Sequence, residues 1–398
     1  MNVQGIQWDS LLAKRAAAIR PSVFIDFANL PPHPDIIRFA GGAPPPEAVP
    51  LDRLRQAMAQ AWEIEPETLY YGETEGHEPL RRLIAERMGR RGATVDPDNV
   101  LITNGSQQGL DLVAKLFIEP GDRVIIEGPT YFGALQVFDV YEAQYLTVPM
   151  DDAGMIPSAL EEALASYPTP KLIYTIPTFQ NPMGVSINPE RRRQVVDLAR
   201  AYNVPIVEDD PYGELWFRGA DPGPLRALDQ EVIYLGTFSK TLAPALRMGW
   251  MAAPHPLMKL LIDAKEGVDI QSDRVVQRGI VAAAECGWLD AHLTRVRNVY
   301  RERCDLMLAC LEREMPRGTH WTVPDGGFFI WVTLPDGANS DALLADCVAN
   351  GAAYIPGSAF YADGHPTGAF RLGFTTLPPD RITEGIARLG QALRARLG

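Results

Sequence analysis

Six short apolar runs between residues 100 and 235 constrain the fold of this chain more than any other feature. They are Val100-Leu101-Ile102, Val124-Ile125-Ile126, Tyr145-Leu146-Thr147-Val148, Leu172-Ile173-Tyr174, Pro205-Ile206-Val207 and Ile233-Tyr234-Leu235. Runs this short, apolar throughout, suit strands that are buried on both faces. Helical patterns separate several of them, among them Leu110, Val113, Ala114 and Phe117, and Val195, Val196, Leu198 and Ala199. Strands alternating with helices imply βαβ units and a mostly parallel sheet covered on both sides. Ligands of such sheets sit beyond the carboxyl ends of the strands. The polar, irregular residues fall there: Asn104 to Gln107, Gly128 to Tyr131, Gln180 to Pro182, Glu208 to Tyr212, and Thr237 to Lys240.

The flanks have a different character. Residues 1–40 suggest an irregular arm, with a short helix through Trp8, Leu11, Leu12, Arg15 and Ile19, then Pro21, Pro31, Pro32 and Pro34. The stretch GGAPPPEAVP, from Gly41 to Pro50, is a turn-rich link that no regular element accommodates. Amphipathic helices are expected from Leu51 to Trp62 and through Leu80, Leu83, Ile84 and Met88, with Tyr70, Tyr71 and Gly72 between them. Near the far end, a helix from about Thr294 to Met315 leads to strands at Gly327–Leu334, Ala352–Ile355 and Phe370–Phe374 and a last helix through Ile382, Ile386, Leu389 and Leu393. At 398 residues the chain is long enough for two domains.

Composition narrows the class. A formal net charge of −13 argues against broad nucleic-acid binding. No run approaches the roughly 18 apolar residues of a membrane span. The first twenty residues carry Asp9, Lys14, Arg15 and Arg20 without a long apolar core, unlike a secretory leader. Cys286, Cys304, Cys310 and Cys347 form no CxxC pair, which fits free thiols in a reducing compartment. The cytoplasm is the expected location.

The chemistry concentrates around Gly236-Thr237-Phe238-Ser239-Lys240, with Arg247 seven positions after the lysine. Only six of the chain's 37 basic residues are lysines. A chain that otherwise prefers arginine has kept at Lys240 an amine that deprotonates, which a guanidinium does not do in proteins. Burial and a nearby cation would lower its pKa and free the lone pair for Schiff-base chemistry on a phosphorylated aldehyde. Gly105-Ser106-Gln107-Gln108-Gly109 follows a strand and opens a helix, and the free N–H groups there suit a phosphate. Asn-Gly-Ser is equally a common turn and helix cap. Asp209, at the end of its strand, needs a partner if buried, and a protonated pyridine nitrogen is one. Asn181 and Tyr212 are placed to bond a phenolic oxygen on the same ring, and Tyr131 offers a face for stacking.

The order Asn181-Pro182-Met183-Gly184, Asp209 to Tyr212, Ser239-Lys240, Arg247 and Phe370-Arg371-Leu372-Gly373 resembles the fold type I pyridoxal-phosphate aminotransferases of class I/II, nearest the 2-aminoadipate and kynurenine aminotransferase branch. The similarity runs from Gly41 to the last helix. It implies an α/β fold of the aspartate-aminotransferase type. A large domain would hold a mostly parallel seven-stranded sheet sandwiched by helices, and a smaller domain would be α+β. Residues 1–45 would form an arm packing with the small domain and a partner subunit, residues 46–290 the large cofactor-binding domain, and residues 291–398 the small one.

The resemblance also implies roles. Lys240 would tether pyridoxal 5'-phosphate and then act as base and acid in the proton shift. Asp209 would pair with the ring nitrogen, Asn181 and Tyr212 with the phenolic oxygen, and Tyr131 would stack on the ring. Ser106, Gln107, Thr237, Ser239 and Arg247 would hold the phosphate, joined by Tyr71 from the neighbouring subunit of a homodimer. Arg371 would clamp the substrate α-carboxylate as a fork, with Gly42 contacting the same group. Arg20 matches an arm arginine that meets the distal carboxylate of acidic substrates, although Pro21 disfavours helix at Arg20. The implied reaction moves an amino group from an acidic, aromatic or aliphatic L-amino acid to a 2-oxo acid, 2-oxoglutarate above all. A β-lyase or decarboxylase on the same fold is the rival enzyme, since the cofactor serves any cleavage at the α-carbon. A pyridoxal-phosphate-binding regulatory module is the rival from another class.

Overall fold

The structure is a computed structural model and describes residues 6–21, 35–63 and 69–398. Pro31, Pro32 and Pro34 of the arm lie outside the described residues. Eight strands form the large sheet, in the spatial order Val100–Thr103, Gly249–Ala252, Ile233–Thr237, Ile206–Asp209, Leu172–Thr175, Arg123–Gly128, Gln144–Asp151 and Gly154–Met155. The predicted seven strands are thus joined by an eighth of two residues, which pairs antiparallel at the edge. The five central strands from Gln144–Asp151 to Ile233–Thr237 are parallel, whereas Gly249–Ala252 runs antiparallel to both of its neighbours.

Alternation along the strands shows why both faces are apolar. Val124, Ile126, Leu172 and Tyr174 face one core, packed against Leu110, Val113, Leu135 and Phe138 of the helices Ser106–Phe117 and Phe132–Val140. Ile125 and Ile173, between them in sequence, face the opposite core with Leu160, Val195 and Val196 of the helices Pro157–Leu164 and Pro189–Ala201. A strand with a core on each side has no place for polar residues until it ends. Its functional side chains therefore collect at the ends.

A second sheet of four antiparallel strands has the order His320–Trp321, Phe329–Thr333, Ala369–Gly373 and Ile355–Pro356. The helix Leu289–Glu314 covers it through Val296, Tyr300, Cys304, Met307 and Leu311, and the helix Pro379–Leu397 through Ile382, Ile386, Leu389 and Leu393. The predicted strand at Ala352–Ile355 is split in two. Ala352–Ala353 pairs in parallel with Ile37–Arg38, and Ile355–Pro356 joins the four-stranded sheet. The arm is thereby tied to this second unit.

The arm helix expected through Trp8 and Ile19 is instead two 3-10 turns, Trp8–Ser10 and Lys14–Ala18. Leu11, Leu12 and Ile19 are exposed. A short helix whose apolar side chains stay exposed makes too few hydrogen bonds to offset nucleation.

Candidate active site

The carboxyl ends of the parallel strands open into a cavity of about 180 Å³. Gly42, Ser106, Gln107, Tyr131, Asn181, Asp209, Tyr212, Thr237, Ser239, Lys240, Arg247 and Arg371 all line it. These are every residue singled out from the sequence except Tyr71 and Arg20.

Lys240 follows the strand Ile233–Thr237 and is partly buried, with Nζ donating to the Gly42 carbonyl at 2.6 Å. Burial lowers its pKa to about 8, with Arg371 and Arg247 pushing the same way against the opposing pull of Asp209. Burial and two nearby cations thus bring the amine's titration from the ordinary lysine range towards neutral pH.

Asp209 is the last residue of its strand and is buried. The hydroxyl of Tyr174, on the adjacent strand, donates to its Oδ2 at 2.9 Å, while Oδ1 is buried without a partner among the described residues. Burial raises the carboxyl to about 7; Tyr174 and Lys240 lower it and the Asp210 charge raises it. An unmatched buried acceptor on a cavity wall is what a protonated ring nitrogen would complete.

At the other end of the cavity, Ser106 begins the helix Ser106–Phe117 after Gly105, whose φ of +78° a glycine adopts without strain. Thr237 Oγ1 donates to Ser239 Oγ at 3.0 Å, and Arg247 Nη1 donates to the same Ser239 oxygen at 3.4 Å. Three hydroxyls, a helix N-terminus and a guanidinium make an anion cradle. Gly249 keeps it close: a Cβ there would lie 2.6 Å from Gly105 C and Ser106 N. Gln107 donates through Nε2 to the Gly133 carbonyl at 2.7 Å and sits 3.5 Å from the Tyr131 hydroxyl.

Arg371 comes from the four-stranded sheet, opposite Trp331 and Ile355 in register. Its Nη1 donates to Asn181 Oδ1 at 2.7 Å and its Nη2 to the Ala40 carbonyl at 2.9 Å, while Nε is buried unpartnered. The guanidinium carbon lies 4.0 Å from the centre of the Phe329 ring and 5.0 Å from that of Phe360. Burial lowers its pKa to about 10, which still leaves it charged at neutral pH. Asn181 lies within a turn in which the Gly184 N–H donates to the Gln180 carbonyl at 2.6 Å and the Met183 N–H to Gln180 Oε1 at 2.8 Å. Tyr212 is buried edge-on to Phe329 at a ring separation of 5.8 Å, and burial pushes its hydroxyl well above the usual range.

Two expected residues lie elsewhere. Tyr71 is 79% exposed on the surface. Arg20 pairs with Asp139 and donates to the Ala362 carbonyl at 3.0 Å, outside the cavity lining. Sequence reasoning missed Tyr174 as the partner of Asp209, because the register that sets Tyr174 opposite Val207 is not visible in either segment alone. It also missed Phe329 and Phe132 on the wall, which have the apolar signature of any core strand or helix.

The donor set fits pyridoxal phosphate: an amine, an orphaned carboxylate oxygen, an amide and a phenol beside it, and an anion cradle across the cavity. A family profile for aminotransferase class I and II matches residues 34–389. The chain belongs to this family. It is 41% identical to an aromatic-amino-acid aminotransferase of Thermococcus litoralis, over 98% of this chain and 96% of that one. It is 38% identical to a 2-aminoadipate transaminase of Thermus thermophilus, covering 98% of each. The solved structure of a Pyrococcus horikoshii kynurenine aminotransferase superposes with a TM-score of 0.94 at 41% identity, over 98% of this chain and 99% of that one. Membership gives the chain its reaction class, and Lys240, Asp209 and Arg371 line one cavity in it.

Proposed function

We propose that this pyridoxal-phosphate-dependent aminotransferase takes the amino group of an acidic, aromatic or aliphatic L-amino acid and passes it to 2-oxoglutarate. The observation that carries the reading is the convergence of Lys240, Asp209 and Arg371 on one cavity. When bound, the cofactor supplies a ring that withdraws electrons from the substrate's α-carbon. Asp209 would pair with the ring nitrogen and keep it charged. Asn181 and Tyr212 would hold the phenolic oxygen, Tyr131 would pack on the ring, and Ser106, Gln107, Thr237, Ser239 and Arg247 would hold the phosphate. Arg371 binds the α-carboxylate with its free donors, which sets the α-carbon near Lys240. Lys240 Nζ then removes and returns the proton at that carbon. The aromatic walls around Arg371 exclude water and strengthen the ion pair.

The assembly we infer is a homodimer. Leu51, Trp62, Leu69, Tyr70 and Tyr71 are all large, apolar and exposed, a surface suited to a second copy that would bring Tyr71 to the neighbouring phosphate site. Division into an arm to residue 45, a large domain to residue 290 and a small domain beyond is supported by the separate cores under the two sheets. A cytoplasmic location is supported by the free thiols of Cys304, Cys310 and Cys347, buried in that small unit. Among the described residues no helix is long and apolar enough to cross a membrane. Arg20 has its substrate role only if an acidic side chain draws it from Asp139.

A panel of L-amino acids with 2-oxoglutarate as acceptor tests the reading, with glutamate as the product measured. Glutamate formation from at least one acidic, aromatic or aliphatic donor is expected. Pyruvate and ammonia from cysteine-type substrates without an acceptor, and no glutamate from any donor, would make the protein a β-lyase instead.

A further inference from the structure

Behind the phosphate end of the cavity lies a buried polar cluster that none of these roles uses. The Lys265 side chain is fully buried, and its Nζ donates to Asp269 Oδ1 at 2.9 Å. Burial pushes the amine below its ordinary range while Asp269 opposes that shift. The other carboxylate oxygen, Oδ2, accepts from Asn104 Nδ2 at 2.5 Å and from Gln108 Nε2 at 2.8 Å. Gln108 Oε1 in turn accepts from the Asn104 backbone N–H at 2.7 Å. Asn104 opens the turn that continues through Gly105 to Ser106, and its carbonyl accepts from Arg247 Nη2 at 3.4 Å. One carboxylate therefore holds Asn104, where the turn begins, together with Gln108 in the first turn of the helix that follows it.

The same segment also reaches Gly72, outside the cavity lining. Asp269 ends the helix His255–Asp269, and Ile270 follows at a φ of +61°, an unfavourable conformation for a β-branched residue. That turn brings the Gln271 side chain to accept from the Gly72 N–H, next to Tyr71. Backbone strain of this kind persists where surrounding contacts over-determine it.

We propose that Asp269, charge-balanced by Lys265, is a positioning residue that fixes the Asn104–Ser106 turn and so sets the enzyme's grip on the phosphate of its cofactor. The inference rests on the pyridoxal-phosphate reading above. Asn104 and Gln108 have amide side chains that rotate freely unless an acceptor holds them. A carboxylate accepting from both locks them, and the fully buried Lys265 amine is the cation that this partly buried carboxylate balances. Anion binding by backbone N–H groups depends on their direction, so a turn that drifts loses phosphate affinity first. Among the described residues, the cluster's hydrogen bonds reach Arg247 at the phosphate end and none of the residues assigned to the ring or the carboxylate.

Comparison of two aldehydes tests this: pyridoxal phosphate and pyridoxal, which lacks the phosphate. Each is titrated spectroscopically into the cofactor-free full chain and into a Lys265→Met, Asp269→Leu double variant, which removes the pair without leaving a buried charge. The dissociation constant for pyridoxal phosphate should rise by about tenfold or more, the loss of two hydrogen bonds to a charged acceptor, while that for pyridoxal stays within about twofold. Unchanged constants, or equal weakening for both aldehydes, would overturn the proposal, because a merely structural lesion does not single out the phosphate. Should the double variant not fold, Gln108→Leu breaks one bridge with the ion pair intact, and the same selective loss, or its absence, decides. A wild-type chain that takes up neither aldehyde would defeat the underlying reading, and this one with it, before any variant is compared.

Discussion

The Tyr174 hydroxyl donates to Asp209 Oδ2 at 2.9 Å, while Oδ1 of this cavity-lining residue is buried without a partner among the described residues. One bond both aims the carboxylate and holds part of its charge, since Tyr174 is among the groups that lower a carboxyl which burial has raised to about 7. Tyr174→Phe should raise that pKa further and leave Asp209 more often protonated at neutral pH. A hydrogen bond to a charged group is worth about 2 kcal/mol, so cofactor affinity should fall by roughly thirtyfold. Titration of the cofactor into the variant measures it.

Lys240 gives a pH dependence with a definite sign. Its pKa is lowered to about 8, so the amine is neutral and nucleophilic above that pH and protonated below it. The rate at which cofactor-free protein takes up pyridoxal phosphate should climb with pH and level off beyond about 8. Because the Arg371 cation is one of the causes of the lowering, Arg371→Met should move the levelling point to higher pH. Stopped-flow absorbance across a pH series reads both curves.

Arg371 uses two nitrogens on protein acceptors and keeps the rest of its fork for a ligand. A lysine there would present one point charge without the fork. Arg371→Lys should therefore raise KM for the amino acid and for the 2-oxo acid together, by about tenfold to a hundredfold, a loss of roughly 1.4 to 2.8 kcal/mol. A change in kcat alone would point away from carboxylate binding.

Gly249 tests the closeness of the cradle to its neighbour strand. A methyl group there meets backbone rather than a movable side chain, 2.6 Å from Gly105 C and Ser106 N. Gly249→Ala should cost about 1 to 3 kcal/mol of stability, the usual range for overpacking. Thermal unfolding with and without cofactor should show the deficit in both states.

How much of this was legible depended on whether the information was local. The runs around Val124, Leu172 and Ile206 announced buried strands because both faces of each strand are covered. Gly249–Ala252 did not stand out, since it is flanked by glycine and lies antiparallel among parallel neighbours. Asp209 and Lys240 were visible as polar residues where apolar strands stop, and Arg247 as a cation seven positions after the lysine. Their partners were not: Tyr174 sits 35 residues from Asp209, and its hydroxyl meets the carboxylate only through the pairing of two strands. Lys265 was one scarce lysine among six, with nothing local to distinguish it from a surface residue. Its Asp269 partner is four residues on, an ordinary helix pair by spacing, and only burial separates it from the exposed Lys259–Asp263 pair.

The central claim is that Lys240 carries the cofactor and the proton of the reaction. Purified protein should absorb near the violet edge of the visible spectrum, and Lys240→Ala, prepared with added pyridoxal phosphate, should lose that band. Transamination by the variant, measured without added amines, should fall by at least about a thousandfold. A variant that still turned over at the wild-type rate would contradict the account.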